Sequence, residues 1–154
     1  MANLAAVVGI GQTKYMTKRL DVSIAGLVRE AAVNALQDAD LTWDDIDAVI
    51  LGKAPDMFEG VIMPETYLTD ALGCNGKPML RVHTAGSVGG STALVAASHV
   101  QSGMFKRVLT VSFEKQSESN AMWALSNPQP FSTHLNAGAG GYFAPIIREY
   151  MRRS

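Results

Sequence analysis

The sequence predicts an α/β chain in which a mostly parallel sheet carries helices on both faces. Three observations lead there. Short apolar segments alternate with segments whose apolar residues recur every three or four positions, as strands joined by covering helices do. One of them, Ile46–Gly52, runs apolar rather than alternating, the habit of strands buried on both faces. Arg81–Gly103 reads as a strand, a glycine-rich turn and a helix of small residues, a joint that lets helix and sheet approach closely.

In chain order, Leu4–Ile10 is short, mostly apolar and punctuated by Gly9 and Gly11, and is predicted to be a buried strand. Asp21–Asp40 is the clearest helix: Ile24, Leu27, Val28, Ala31, Ala32, Ala35 and Leu36 form one stripe, and Asp21 or Ser23 can cap its start. Leu41–Asp45 reads as a single turn capped by Thr42, with Asp44 and Asp45 where the helix dipole favours anions. The strand Ile46–Gly52 follows. Pro64–Leu72 is a predicted helix with proline at its first position and Gly73 as its stop. Met79–Thr84 is the third strand, Gly86–Gly90 a tight turn, Thr92–Ser102 a small-residue helix and Arg107–Phe113 the fourth strand. Ser117–Gly141, rich in Ser, Asn, Pro, Gly and Ala, reads as an excursion over the sheet, and Pro145–Arg153 as a helix with a basic end.

The 154 residues amount to one domain. With 47% apolar and 18% charged residues the chain is not disordered, and 13 basic against 14 acidic side chains provide no general attraction to nucleic acid. No apolar run approaches the roughly 20 residues of a membrane span, and Met1–Val8 lacks the basic start of a signal peptide. The single cysteine, Cys74, allows neither an internal disulfide nor a CxxC metal site. These bounds predict a globular cytoplasmic domain with no metal, no membrane segment and no nucleic-acid partner.

The chemistry concentrates in Arg81–Gly103. A strand–turn–helix of this kind sets one side chain at a helix start with backbone amides facing outward, which can stabilise a thiolate, bind an anion or form part of an oxyanion hole. The same glycines would also serve a turn that merely packs tightly.

The segment "RVHTAGSVGGSTALVAASHVQSG" resembles the nucleophile elbow of the thiolase superfamily, and most of all its sterol-carrier-protein-type thiolases, or lipid-transfer proteins. "VVGIGQTKY", "DDIDAVILG" and "RVLTVSFEKQSES" agree with the same family, so that the resemblance spans essentially the whole chain. It implies a thiolase-like N-terminal half over residues 1–116 and the start of an inserted loop region over 117–154, with the C-terminal half and its histidine and second cysteine elsewhere. Setting the family's glycine on Gly90 and its alanine on Ala93 puts the nucleophile position at Ser87, where the family has cysteine. Gly86, Gly89 and Gly90 then hold the thioester of a CoA substrate through their amides, with no separate cofactor.

A serine there needs a partner to take its proton. His99 lies twelve residues along the same helix, about 18 Å away at 1.5 Å per residue. His83 at the end of the strand is near enough in sequence to serve as base, or is packed in the sheet. His134 lies in the excursion and can reach a ligand or be solvated, and Cys74 sits in a loop. Glu114 and Lys115 close the fourth strand at the carboxyl edge, where α/β sites gather, or form a surface ion pair. Met122, Trp123 and Leu125 can line an acyl tunnel or anchor the excursion, and Asp44, Asp45 and Asp47 are accounted for by capping. "GIGQTK" lacks the spacing of a phosphate loop.

Three functions are compatible with this pattern. The first is an enzyme half working on acyl-CoA, sterol-derived thioesters included, by acyl transfer or retro-aldol carbon–carbon cleavage. The second is a non-catalytic acyl-CoA or lipid-binding subunit, and the third a structural assembly module. Each implies association, with further copies of the chain or with a completing thiolase-like chain.

Overall fold

The computed structural model describes residues 4–54, 59–119 and 138–154. Its elements in order are α1 (Ile24–Asp38), β1 (Ala48–Gly52), α2 (Pro64–Tyr67), β2 (Met79–Val82), α3 (Val88–Gln101), β3 (Val108–Ser112) and α4 (Gly138–Arg153). The three strands form one parallel sheet in the order β2-β1-β3. Ile50 at the middle of β1 pairs with Leu80 on one side and Thr110 on the other.

Alternation along β1 divides the core between the two sheet faces. Val49 and Leu51, with Leu109 and Val111, meet Val28, Ala32 and Leu36 of α1 and the buried Leu68 and Leu72 beyond α2. Ile50 and Val82 meet Ala96 of α3 on the opposite face. Helices therefore cover both faces, as the sequence predicts. Between the caps the reading is also close: Ser23 rather than Asp21 caps α1, its Oγ accepting from the Gly26 amide at 3.0 Å. Thr42 and Asp45 exchange hydrogen bonds around the turn Trp43–Asp45 as a capping box.

Four expectations need correction. Leu4–Ile10 joins no ladder among the described residues, and its Leu4, Val7, Val8 and Ile10 side chains are exposed. It runs instead beside α1. The Ile10 amide donates to Asp38 Oδ2 at 2.9 Å and Asn34 donates to the following Gln12 carbonyl at 3.2 Å, so helix side chains hold the end of the segment. Glycine makes that approach possible, since a Cβ at Gly11 would lie 2.1 Å from the Ala31 carbonyl oxygen. A cleft of about 310 Å³, bordered by Gln12, Thr13, Val28 and Phe113, lies at this side of the sheet next to β3.

The helix expected over Thr92–Ser102 starts at Val88, so Gly89 and Gly90 are its first turn and not a separate glycine turn. Of its residues only Thr92 and Ala96 are buried, and Leu94 is 71% exposed. The helix lies on one sheet face, and among the described residues nothing covers its outer side. α2 is a single turn, although Leu68 and Leu72 beyond it are buried as a longer helix would have them. α4 begins at Gly138 and carries Pro145 inside it rather than at its start. Residues 120–137 of the expected excursion lie outside the described residues.

Asp47 departs from the capping role expected for it. Its Oδ2 accepts from the Lys106 and Arg107 amides at 2.8 and 2.9 Å, tying the entry of β1 to that of β3. Those two amides hold its carboxyl below the usual carboxylate range. A depressed folded pKa adds stability above the unfolded value and loses it as pH falls through the folded one. Wild type is therefore expected to lose stability below about pH 4 more steeply than Asp47→Asn, a difference that urea midpoints measured from neutral to acid pH will show.

Candidate functional site

The carboxyl ends of three parallel strands meet at one edge, where Gly52 stands opposite Val82 and Ser112. α3 starts directly above this edge. Gly52 lets it descend: a Cβ there would lie 2.3 Å from Thr92 Oγ1 and 2.4 Å from Ser112 Oγ. Thr92 is buried, and its hydroxyl donates to the Val88 carbonyl at 2.7 Å, bracing the first turn of the helix.

Between β2 and α3 the chain makes a tight turn over Ala85–Ser87. Ala85 has φ 48°, a left-handed conformation that costs a residue with a Cβ about 1–2 kcal/mol. The sequence offers no signal for strain at an alanine between threonine and glycine. Thr84 Oγ1 donates to Ser91 Oγ at 2.7 Å and closes the turn on the helix.

Ser87 is the exposed N-cap of α3 but makes no capping bond; its Oγ donates to the Thr84 carbonyl at 2.9 Å. The amides of Gly89 and Gly90 open the helix, where intrahelical acceptors are lacking and the dipole favours negative charge. Nothing lies within 4 Å of a Cβ built at Gly86, Gly89 or Gly90, so this surface is open to a ligand.

His83 follows β2 directly and is exposed, which corrects the packed alternative; no hydrogen bond joins it to Ser87. His99 is in the last turn of α3 and stands edge-on to Phe105 at 5.8 Å. Cys74 belongs to the core and donates to the Leu72 carbonyl, and burial pushes its thiol up, away from the reactive thiolate. His134, Met122, Trp123 and Leu125 lie outside the described residues.

Glu114 and Lys115 do not pair with each other as a surface ion pair would. Lys115 Nζ pairs with Glu118 at 2.6 Å and donates to the Arg19 and Val22 carbonyls at 2.8 Å. Glu114 faces Lys53, a residue singled out by nothing in the composition. The Lys53 side chain is 1% exposed, with Nζ 2.5 Å from Glu114 Oε2, 2.7 Å from Glu59 Oε2 and over the Phe113 ring at 5.5 Å. Burial pushes the Glu114 carboxyl up, and the hydrogen bond from Lys53 opposes this. A lysine directly after an apolar strand, in "VILGK", is the one local hint of this cluster.

No protein-family profile matches the chain. It is 29% identical over 117 residues to an acetyl-CoA acetyltransferase of Methanothermobacter thermautotrophicus, covering 73% of this chain and 30% of that one. The structure of 3-oxoacyl-[acyl-carrier-protein] synthase III from Aquifex aeolicus superposes with a TM-score of 0.56 at 26% identity, covering 66% and 32% of the two chains. The structure of an Ltp2-ChsH2(DUF35) aldolase superposes with a TM-score of 0.64 at 24% identity, covering 97% of this chain and 38% of that one. The chain thus spans about a third of the length of these relatives, and its fold is thiolase-like, a half-domain with a mostly parallel sheet. Among the described residues no helix is long and apolar enough to cross a membrane.

Proposed function

We propose that this chain is the N-terminal half of a thiolase-like protein that binds a CoA thioester at the start of α3 and acts without an acyl-enzyme. The observation that carries the proposal is the Ser87 hydroxyl, which donates to the Thr84 carbonyl instead of to a base; the resemblance assigns this residue to the nucleophile position. Of the two chemistries open to such a half, retro-aldol cleavage needs no nucleophile. A base removes the proton of a β-hydroxyl and the bond between α and β carbons breaks. The β carbon leaves as a ketone or aldehyde, and the electron pair becomes the enolate of a shortened acyl-CoA, which then takes up a proton. The amides of Gly89 and Gly90, in the first turn of α3, suit that enolate oxygen. The aldolase among the structural relatives supports the same reading, while sterol-derived substrates rest on the resemblance alone.

The base and the rest of the site come from outside residues 1–116, the half that ends as the loop region starts. A completing thiolase-like chain or segment is the proposed partner, with self-association as the alternative. The outer face of α3 suits it, because Gly89, Gly90, Ala93 and Leu94 stay exposed on a helix whose other side is packed. A reducing, cytoplasmic setting fits a chain with one cysteine.

Incubation with acetyl-CoA followed by intact-protein mass spectrometry is expected to show no adduct on wild type. Calorimetry is expected to show acetyl-CoA binding within about twofold of wild type for Ser87→Ala and at least about tenfold weaker for Gly89→Leu, since the helix-start amides do the binding. An adduct that disappears in Ser87→Ala would restore covalent transferase chemistry. Binding of a β-hydroxyacyl-CoA without its cleavage once a partner is supplied would favour the non-catalytic subunit.

A further inference from the structure

Glu114 reaches from the end of β3 to two points at the end of β1. Its Oε2 takes the Lys53 ammonium at 2.5 Å and its Oε1 accepts from the Ala54 amide at 2.5 Å. Lys53 in turn donates its own amide to the Val82 carbonyl at 3.3 Å, at the last residue of β2 before His83 and the turn to Ser87. Gly52, the residue preceding Lys53, is the floor on which Thr92 of α3 rests, and Thr92 holds the Val88 carbonyl at the start of the helix. One carboxylate therefore ties the end of β3 to the end of β1, the strand against which both the end of β2 and the start of α3 rest.

We infer that Glu114 is a positioning residue for the helix-start site: through Lys53 and Ala54 it sets the spacing of the strand ends and thereby the orientation of the amides of Gly89 and Gly90. This rests on the reading of that helix start as a thioester site. Stability alone is a poor reason for such a cluster, because burying an ammonium with carboxylates often gains nothing over apolar packing. Glu59 shares the ammonium but plays a different part. Its Oε1 accepts from the Lys115 amide at 2.6 Å, and its Oε2 faces Lys53 as an ion pair without a directed hydrogen bond. Neutralising either glutamate still leaves Lys53 the other, so Glu114→Gln and Glu59→Gln are matched in charge and differ in the tie they cut.

Amide hydrogen exchange on the whole chain separates the two. Glu114→Gln is expected to speed exchange at amides 84–92 by at least about tenfold and to leave α1 unchanged, whereas Glu59→Gln leaves 84–92 as in wild type. Unchanged exchange at 84–92 in Glu114→Gln, an equal rise in α1, or the same effect from Glu59→Gln would each overturn the inference. Acetyl-CoA affinity, measured on the same proteins, is expected to fall about tenfold in Glu114→Gln. A wild type that does not bind acetyl-CoA speaks against the functional reading, while the exchange result still decides the positioning role.

Discussion

Lys53→Met is expected to lose about 3–5 kcal/mol of stability, the usual cost of stripping one partner from a buried charge cluster. Methionine fills a similar volume, so the loss would come from electrostatics. Glu114 and Glu59 would face each other without the ammonium now 2.5 and 2.7 Å from them. The pH dependence checks the cause. Burial already holds the Glu114 carboxyl above the usual range, and removing Lys53 raises it further. A group whose folded pKa is raised favours the folded state below its unfolded value and withdraws that support as pH rises through the folded one. The deficit of Lys53→Met should therefore be largest near pH 8 and shrink toward about pH 5, as urea unfolding at several pH values will show. A deficit independent of pH would mean that lost packing, not charge, is responsible.

Gly52→Ala is expected to cost about 1–3 kcal/mol, in the range of an overpacked core. The added methyl would meet Thr92 Oγ1 and Ser112 Oγ at 2.3 and 2.4 Å. Neither oxygen is the end of a long flexible side chain, and Thr92 is buried with its hydroxyl committed to Val88. Relief requires α3 to lift from the sheet, so acetyl-CoA binding should weaken along with the thermal midpoint. Gly90→Ala, where a Cβ meets nothing within 4 Å, is the control and should change stability by less than about 1 kcal/mol. If the two variants lose the same amount, the close contact at Gly52 is not what holds the helix down.

The parts of this fold that were legible from residue order are those whose causes lie within a few residues. The stripe from Ile24 to Leu36, the Ser23 cap and the Thr42–Asp45 box are local hydrogen bonding and helix period. The continuous apolar run that becomes β1 reflects burial on both sides, and it stays one pattern whichever strands flank it. The strand–turn–helix order around Ser87 was legible for the same reason.

Local pattern misleads where a segment's state depends on a distant surface. Leu4–Ile10 has the apolarity of a strand, but a ladder needs a neighbour at hydrogen-bond distance, and the end of this stretch is held by α1 instead, the Ile10 amide by Asp38 and the following Gln12 carbonyl by Asn34. Gly89 and Gly90 read as a turn because glycine is a poor helix former. They are helical because Thr92, seated on Gly52 forty residues earlier in the chain, braces the turn they belong to.

Sequence alone determined the α/β class, the two-sided burial of the central strand, and the presence of a serine where the glycine-rich turn meets its helix. Tertiary structure decided what surrounds that serine: a hydroxyl turned to the Thr84 carbonyl, a left-handed Ala85 and an exposed His83 with no bond to Ser87. It alone brought Lys53, Glu59 and Glu114 together. The reason is physical: helix period and capping act over a few residues, whereas the desolvation of a charge and the meeting of its partners depend on which distant segments the packed sheet makes neighbours.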